Sequence, residues 1–273
     1  MVLNLPPPDR TSLRASPLVL TVCQVRFEQT LAVADARVAL GVQSSLGGPG
    51  GLYPRIDPVR GPSVQFSVTS EGAGESRALP SVGGWRLQSD DGAWIASIMP
   101  DFVALETTRY TTWDEDFAPR MSDLLDAVQN VVSPALEERL GLRYVDRLGG
   151  LEIREPQDWT RYLDPALLGV LLQETLGPAA VTTQQQIDLV LDNDVRCILR
   201  HGHPADTDDD GLQTYVLDYD VYRQSARAFD VNGINKALSM FSDAALQLFH
   251  ANLNPKYLDF LRDGSEVQGT AAG

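Results

Sequence analysis

The sequence predicts an α+β protein with antiparallel strands, and three observations carry that expectation. Runs rich in β-branched and aromatic residues recur along the chain, separated by short turn signals. Two long segments place apolar residues at helical offsets of 4, 7, 11 and 14. The order strand, helix, three or four strands, long helix then comes twice, in units of about 120 residues.

The first unit opens with residues 18–28 (LVLTVCQVRFE), whose β-branched content and closing alternation argue a strand. Residues 31–46 have the composition of a helix, which the glycine-rich run 47–51 stops. Strand-like runs follow at 64–69, 85–89, 94–99 and 102–109, with Asp91-Gly92 and Pro100-Asp101 as hairpin turns between neighbours. Thr112 followed by Glu115 gives a capping-box pattern, so a helix should begin there, with Phe117, Met121, Leu124, Val128 and Val131 on its apolar face. The second unit restarts with a strand at 142–148, a helix at 165–176 and strands at 187–191, 195–200 and 215–222, with Asn193-Asp194 as a turn. Its long helix carries Ile234, Leu238, Phe241, Ala245 and Leu248.

This order divides the chain into a tail at 1–15, repeats at 16–135 and 136–262, and a second tail at 263–273. The two sheets could join edge to edge, each covered by its long helix. A duplicated unit of this kind is TATA-binding-protein-like, and the helix-grip fold is the neighbouring alternative.

Composition narrows the function classes. The formal charge is −15, with 15 acids against 10 bases in residues 1–133 and 22 against 12 in 134–273. A field of that sign repels phosphate backbones and favours a basic partner, so nucleic acid is an unlikely ligand despite the fold analogy. The opening residues are proline-rich and charged, and no stretch reaches 18 apolar residues, which argues against export and membrane insertion and for a soluble, cytoplasmic protein. Cys23 and Cys197 each lie in an apolar strand, as buried free thiols would in a reducing compartment.

Several local patterns bear on chemistry. Alternation in the strand 142–148 puts Arg143, Val145 and Arg147 on one face and Leu142, Tyr144, Asp146 and Leu148 on the other. Two neighbouring arginines could clasp a carboxylate or phosphate, or could pair with Glu106, Asp218 or Asp220 on adjacent strands and fix the joint between the halves. Residues 206–211 (DTDDDG) match the first six positions of a calcium loop, but Leu217 stands where the bidentate glutamate belongs, so an exposed acidic hairpin is the plainer reading. His201 and His203 have the spacing of a strand-borne metal pair and lack a third ligand, so two surface histidines at a strand end suffice. The glycine run lacks the Gly-Lys-Ser/Thr ending of a phosphate loop and follows a helix. Trp85, Trp94, Phe102, Tyr110 and Trp113 offer either a stacking platform or core packing beneath the long helix. Neither a cofactor nor a metal is expected, and nucleophile-elbow, zinc-helix and dinucleotide signatures do not occur in the sequence.

The run Arg143-Tyr144-Val145-Asp146-Arg147, Trp113 with the long helix behind it, the stretch from Trp85 through Asp101 to Tyr110, the Leu-Pro opening and Arg26-Phe27-Glu28 together resemble a sporadically distributed family of uncharacterised bacterial proteins of about 270 residues. The resemblance spans most of the chain. It implies a bacterial, two-part protein without an established activity, and it departs at Asp146, where the family usually has asparagine. On these grounds the expected function is non-enzymatic: binding of a protein partner, in the manner of an inhibitor or antitoxin, through a sheet surface bearing Arg26, Arg143, Tyr144, Asp146 and Arg147. The alternative is a small-molecule-binding protein or enzyme with an arginine and carboxylate pocket between sheet and long helix.

Overall fold

In β1 (Leu18–Phe27) the side chains of Thr21, Cys23, Val25 and Phe27 are buried while those between them are half-buried or exposed. That alternation marks a strand with one face in the core. The computed structural model describes residues 5, 7–67, 75–149, 153, 155–205 and 213–264. After β1 the expected single helix is interrupted: a 3₁₀ turn (Leu31–Ala34) precedes α1 (Ala36–Ser45), because Asp35 adopts an extended backbone and accepts a hydrogen bond from the Arg37 amide, starting a new helix there. Gly47, at φ 99°, ends α1 in a conformation open to glycine.

Next come β2 (Arg55–Ser67) and β3 (Glu75–Gln88), an antiparallel ribbon far longer than the strands expected at 64–69 and 85–89. Prolines at 58, 62 and 80 hid it, since proline withholds a ladder N–H. The sheet tolerates them because β2 is its edge and β3 pairs with β4 (Trp94–Met99) only over 85–88, so Pro62 and Pro80 face each other where the ribbon has no third strand. β5 (Phe102–Thr107) returns from β4, and Thr112 caps the next helix by accepting from the Glu115 amide at 3.2 Å. The chain first makes one π-type turn (Trp113–Phe117) and then α2 (Ala118–Val131).

β6 (Leu136–Leu148) starts six residues before the predicted strand. Its charged opening reads as surface, yet Glu137 is 1% exposed and takes two hydrogen bonds from Arg223, at 2.9 and 2.8 Å. The helix expected at 165–176 shortens to α3 (Pro165–Leu168) followed by 3₁₀ turns, because Gly169 turns to φ 45°. β7 (Gln185–Val190), β8 (Val195–Gly202) and β9 (Tyr215–Arg223) then form hairpins, and the short β10 (Arg227–Ala228) pairs with the start of β6. α4 (Val231–Asn252) is the long helix expected, and α5 (Pro255–Asp263) follows it.

One ten-stranded antiparallel sheet holds all of this, in the order β2-β3-β4-β5-β1-β6-β9-β8-β7 with β10 beside β6. Strands from before and after residue 135 meet where β1 pairs with β6, and the Glu28 carboxylate ties that joint by accepting from the amides of Ala135 and Leu136 at 2.7 and 2.9 Å. α2 packs on β5, α4 packs on β6 and β9, and the two helices touch each other. All five apolar residues expected on α4 are buried, and four of the five on α2 are fully so. At ~1.5–3 kcal/mol for each large side chain, these two helices supply much of the core.

Candidate functional site

The open face of the sheet carries the arginines singled out from sequence, and two of them, Arg26 and Arg143, are paired with acids there. Arg143 donates from Nε and Nη2 to Asp218 at 2.7 and 2.8 Å, and Arg200 approaches the same carboxylate at 3.5 Å. Arg139 donates to Asp220 at 3.0 Å while its guanidinium lies 5.0 Å from the Tyr222 ring centre. Arg26 bonds Asp101 at 2.9 Å. Arg147 shares this face by strand alternation, beside Val216 of β9. Of the acids anticipated as partners, Asp218 holds Arg143, so the cross-strand pairing describes it.

Tyr144 and Asp146 face the other way. There β6, β9, α4, residues 9–18 and the connection at 110–115 line a half-open cavity of about 600 Å³. Alternation within β6 puts Arg143 and Arg147 across the sheet from Asp146, so the carboxylate on this side is not beside those two arginines.

Local folding builds the cavity. β1 begins at Leu18, the register partner of Asp146, and the chain before it stays on β6 for one more residue, where the Arg147 amide bonds the Pro17 carbonyl at 2.8 Å. The chain before β1 turns away from the sheet and crosses to the helices, with the Ala15 amide bonded to the Leu261 carbonyl at 3.0 Å and Arg10 to Asp243 at 2.6 Å. Residues 9–15, expected as tail, thereby form one wall together with Ser16.

The floor is aromatic. Tyr144 and Tyr219 are direct cross-strand partners. Tyr144 donates to Ser242 Oγ of α4 at 3.1 Å, and its ring meets Tyr110 edge-on at 5.7 Å. Tyr219 accepts from Asn252 at 2.9 Å. Burial raises the ionisation of Tyr144 and Tyr219 well above the ordinary value and pushes Tyr110 up to about 12, so all three stay neutral hydroxyls.

Asp146 is the anomaly. It is 5% exposed, and among the described residues no hydrogen bond or ion pair reaches its carboxyl. Burial alone pushes its pKa up to about 8, so it carries a proton at neutral pH. An unpartnered buried carboxyl is costly, and such groups concentrate where a ligand completes them. It can donate one hydrogen bond as an acid or take a cation as a carboxylate.

The remaining candidates fall elsewhere. His201 and His203 are buried rather than at the surface: His201 Nδ1 meets Tyr215 Oη at 2.8 Å and His203 Nδ1 meets the Thr214 carbonyl at 3.0 Å. Among the described residues no three His, Cys, Asp or Glu side chains gather as metal ligands. The calcium-loop pattern at 206–211 lies outside the described residues. Trp94 and Trp113 are buried core, and Trp85 donates to the Val33 carbonyl at 2.8 Å, which favours packing over a stacking platform. Both cysteines are buried free thiols. Among the described residues no helix is long and apolar enough to cross a membrane.

Sequence reasoning reached Tyr144, Asp146, Tyr110 and Trp113 and missed Arg10, Tyr219, Ser242 and Phe249. Alternation along β9 puts Tyr219 on the buried face, and Ser242 is a polar residue inside an apolar stripe, so both carried a signal. Arg10 and Phe249 gave none. No protein-family model matches the chain, and no curated protein matches it.

Proposed function

We propose that this chain is a small-molecule-binding protein whose ligand occupies the cavity between the sheet and α4. The observation that carries the reading is Asp146: a buried carboxyl that no base or hydrogen-bond partner among the described residues meets, at the wall of a cavity of about 600 Å³. Ligand pockets of ~300–1,000 Å³, mostly apolar and with a few convergent polar groups, are the usual size and make-up for one organic ligand. Tyr144, Tyr219 and Ser242 are the convergent groups here.

A protein partner held on the open sheet face, the function expected first from sequence, draws less support, because Arg143 would have to leave a bidentate bond to Asp218 to reach it. Descent from a duplicated unit is proposed with the fold. Its support is the sheet order, which runs outward from the β1–β6 joint through β5, β4 and β3 on one side and β9, β8 and β7 on the other. Whether the parent is TATA-binding-protein-like or helix-grip-like, the cavity sits under the second long helix. Membership of the sporadic bacterial family is proposed on the strand that supplies Tyr144 and Asp146, and a cytoplasmic setting on the two buried thiols.

The test is a ligand-observed NMR screen of fragments of mixed charge against the wild type and Leu246→Trp, which puts an indole in place of a lining side chain. Fragments that bind the wild type and are lost in Leu246→Trp are expected. Hits that survive that substitution would place binding elsewhere and overturn the reading.

A further inference from the structure

We infer that the ligand of this cavity is an organic ammonium ion with an aromatic or aliphatic body, held by Asp146 as a carboxylate. The inference rests on the cavity reading above and deepens it.

The charges around the cavity select the ligand's sign. Among the described residues that line it Arg10 is the one base, and it is already engaged by Asp243 at 2.6 Å with Asp114 at 3.9 Å. Asp9, Asp114 and Glu115 stand with it in the wall. An anionic ligand would enter past those acids and find Asp146 without a base beside it. A cation meets acids on the way and a lone carboxyl at the end, in a chain of net charge −15.

The groups that face Asp146 fit the same choice. From β9 comes Tyr219 and from α5 Tyr257, both held neutral, and Tyr110, also held neutral, lines the same cavity. α4 contributes Ser242, a neutral hydroxyl. Among the described residues no base pairs with Asp146, and the aromatic side chains of Tyr144, Tyr219 and Phe249 line the cavity, which suits a cation and its hydrocarbon body.

The binding step is a proton exchange that balances. Asp146 gives its proton to solvent, and the resulting carboxylate accepts hydrogen bonds from the incoming R–NH₃⁺, so one charge pair forms and one proton leaves per ligand bound below the carboxyl's own titration. Affinity should therefore rise by about tenfold per pH unit below pH 8 and level off above it, because the complex no longer binds the proton that the free protein holds.

Three probes of one shape separate the possibilities: 2-phenylethylammonium, 2-phenylethanol and 3-phenylpropionate, titrated by NMR at pH 6, 7 and 8 against the wild type and Asp146→Asn. The ammonium should bind best and gain affinity with pH in the wild type, and lose both the preference and the pH dependence in Asp146→Asn, while the alcohol binds both proteins alike. The alcohol's unchanged binding also reports that the variant is folded. Equal binding of alcohol and ammonium, or preference for the carboxylate, would overturn the ammonium assignment and leave the cavity reading standing. Ammonium binding that persists unchanged in Asp146→Asn would do the same. No binding by any of the three would count against both.

Discussion

Asp146 and Glu137 are both buried acids on β6, and they differ in what meets them. Glu137 is paired by the fork of Arg223, whereas Asp146 meets no base among the described residues and burial pushes its pKa up. The difference predicts opposite mutational signs. Arg223→Ala leaves Glu137 buried without its partner and should cost about 3–5 kcal/mol in urea denaturation at pH 7. Asp146→Asn should stabilise. In the unfolded chain Asp146 ionises near 3.8 and in the folded one near 8, so the unfolded state holds fewer protons between those values and stability falls as pH rises through that window. The variant lacks that fall, so its advantage should be close to nil at pH 4 and reach at most about 4 kcal/mol at pH 7. Denaturation of both proteins from pH 4 to 8.5 measures it, and a constant difference across that range would show that Asp146 does not titrate as proposed.

At the scale of elements, α4 joins fold and site: it buries Phe241 in the core and presents Ser242 and Phe249 to the cavity. Asp230 starts it by accepting from the amides of Asn232 and Gly233, at 3.3 and 3.0 Å. Asp230→Ala should cost about 1 kcal/mol in thermal denaturation, as for other helix caps. Phe241→Ala should cost about 3–5 kcal/mol by opening the core beneath the helix.

The elements also show why parts of the fold were legible in the sequence. β1, β4, β5, β8, β9 and both long helices bury one face, so period 2 or 3.6 is written in their apolar residues. The β2–β3 ribbon was not legible because its prolines are allowed only by its place at an edge, which is a property of the sheet. The opening of β6 was hidden because Glu137 and Arg139 are satisfied by residues about 80 positions away, Arg223 and Asp220. α5 had readable signals in Asn254-Pro255 at its start and Gly264, at φ 66°, at its end. For the site, alternation gave the faces of β6 correctly. What it could not give was the partner strand that neutralises Arg143 or the segment before β1 that closes a wall over Asp146.

For the whole molecule, the continuous sheet makes the two halves interdependent. β1 and β6 pair along most of their length, and α2 packs on α4 across the same joint. Unfolding should be one transition, with far-ultraviolet circular dichroism and tryptophan fluorescence coinciding, although Trp85, Trp94 and Trp113 report on the first half and Trp159 on the second. Two separated transitions would mean that the halves are stable alone. The cavity belongs to this scale too, because its walls come from the segment before β1, the connection before α2, both central strands and α4. Its defining feature is a carboxyl that keeps its proton, and the most direct measurement is a carbon-13 NMR titration of the side-chain carboxyls, with Asp146→Asn to assign the signal. The account predicts one carboxyl, missing in the variant, that titrates near pH 8. If Asp146 instead titrates with the ordinary carboxyls near pH 4, the cavity holds a solvated carboxylate and the account fails.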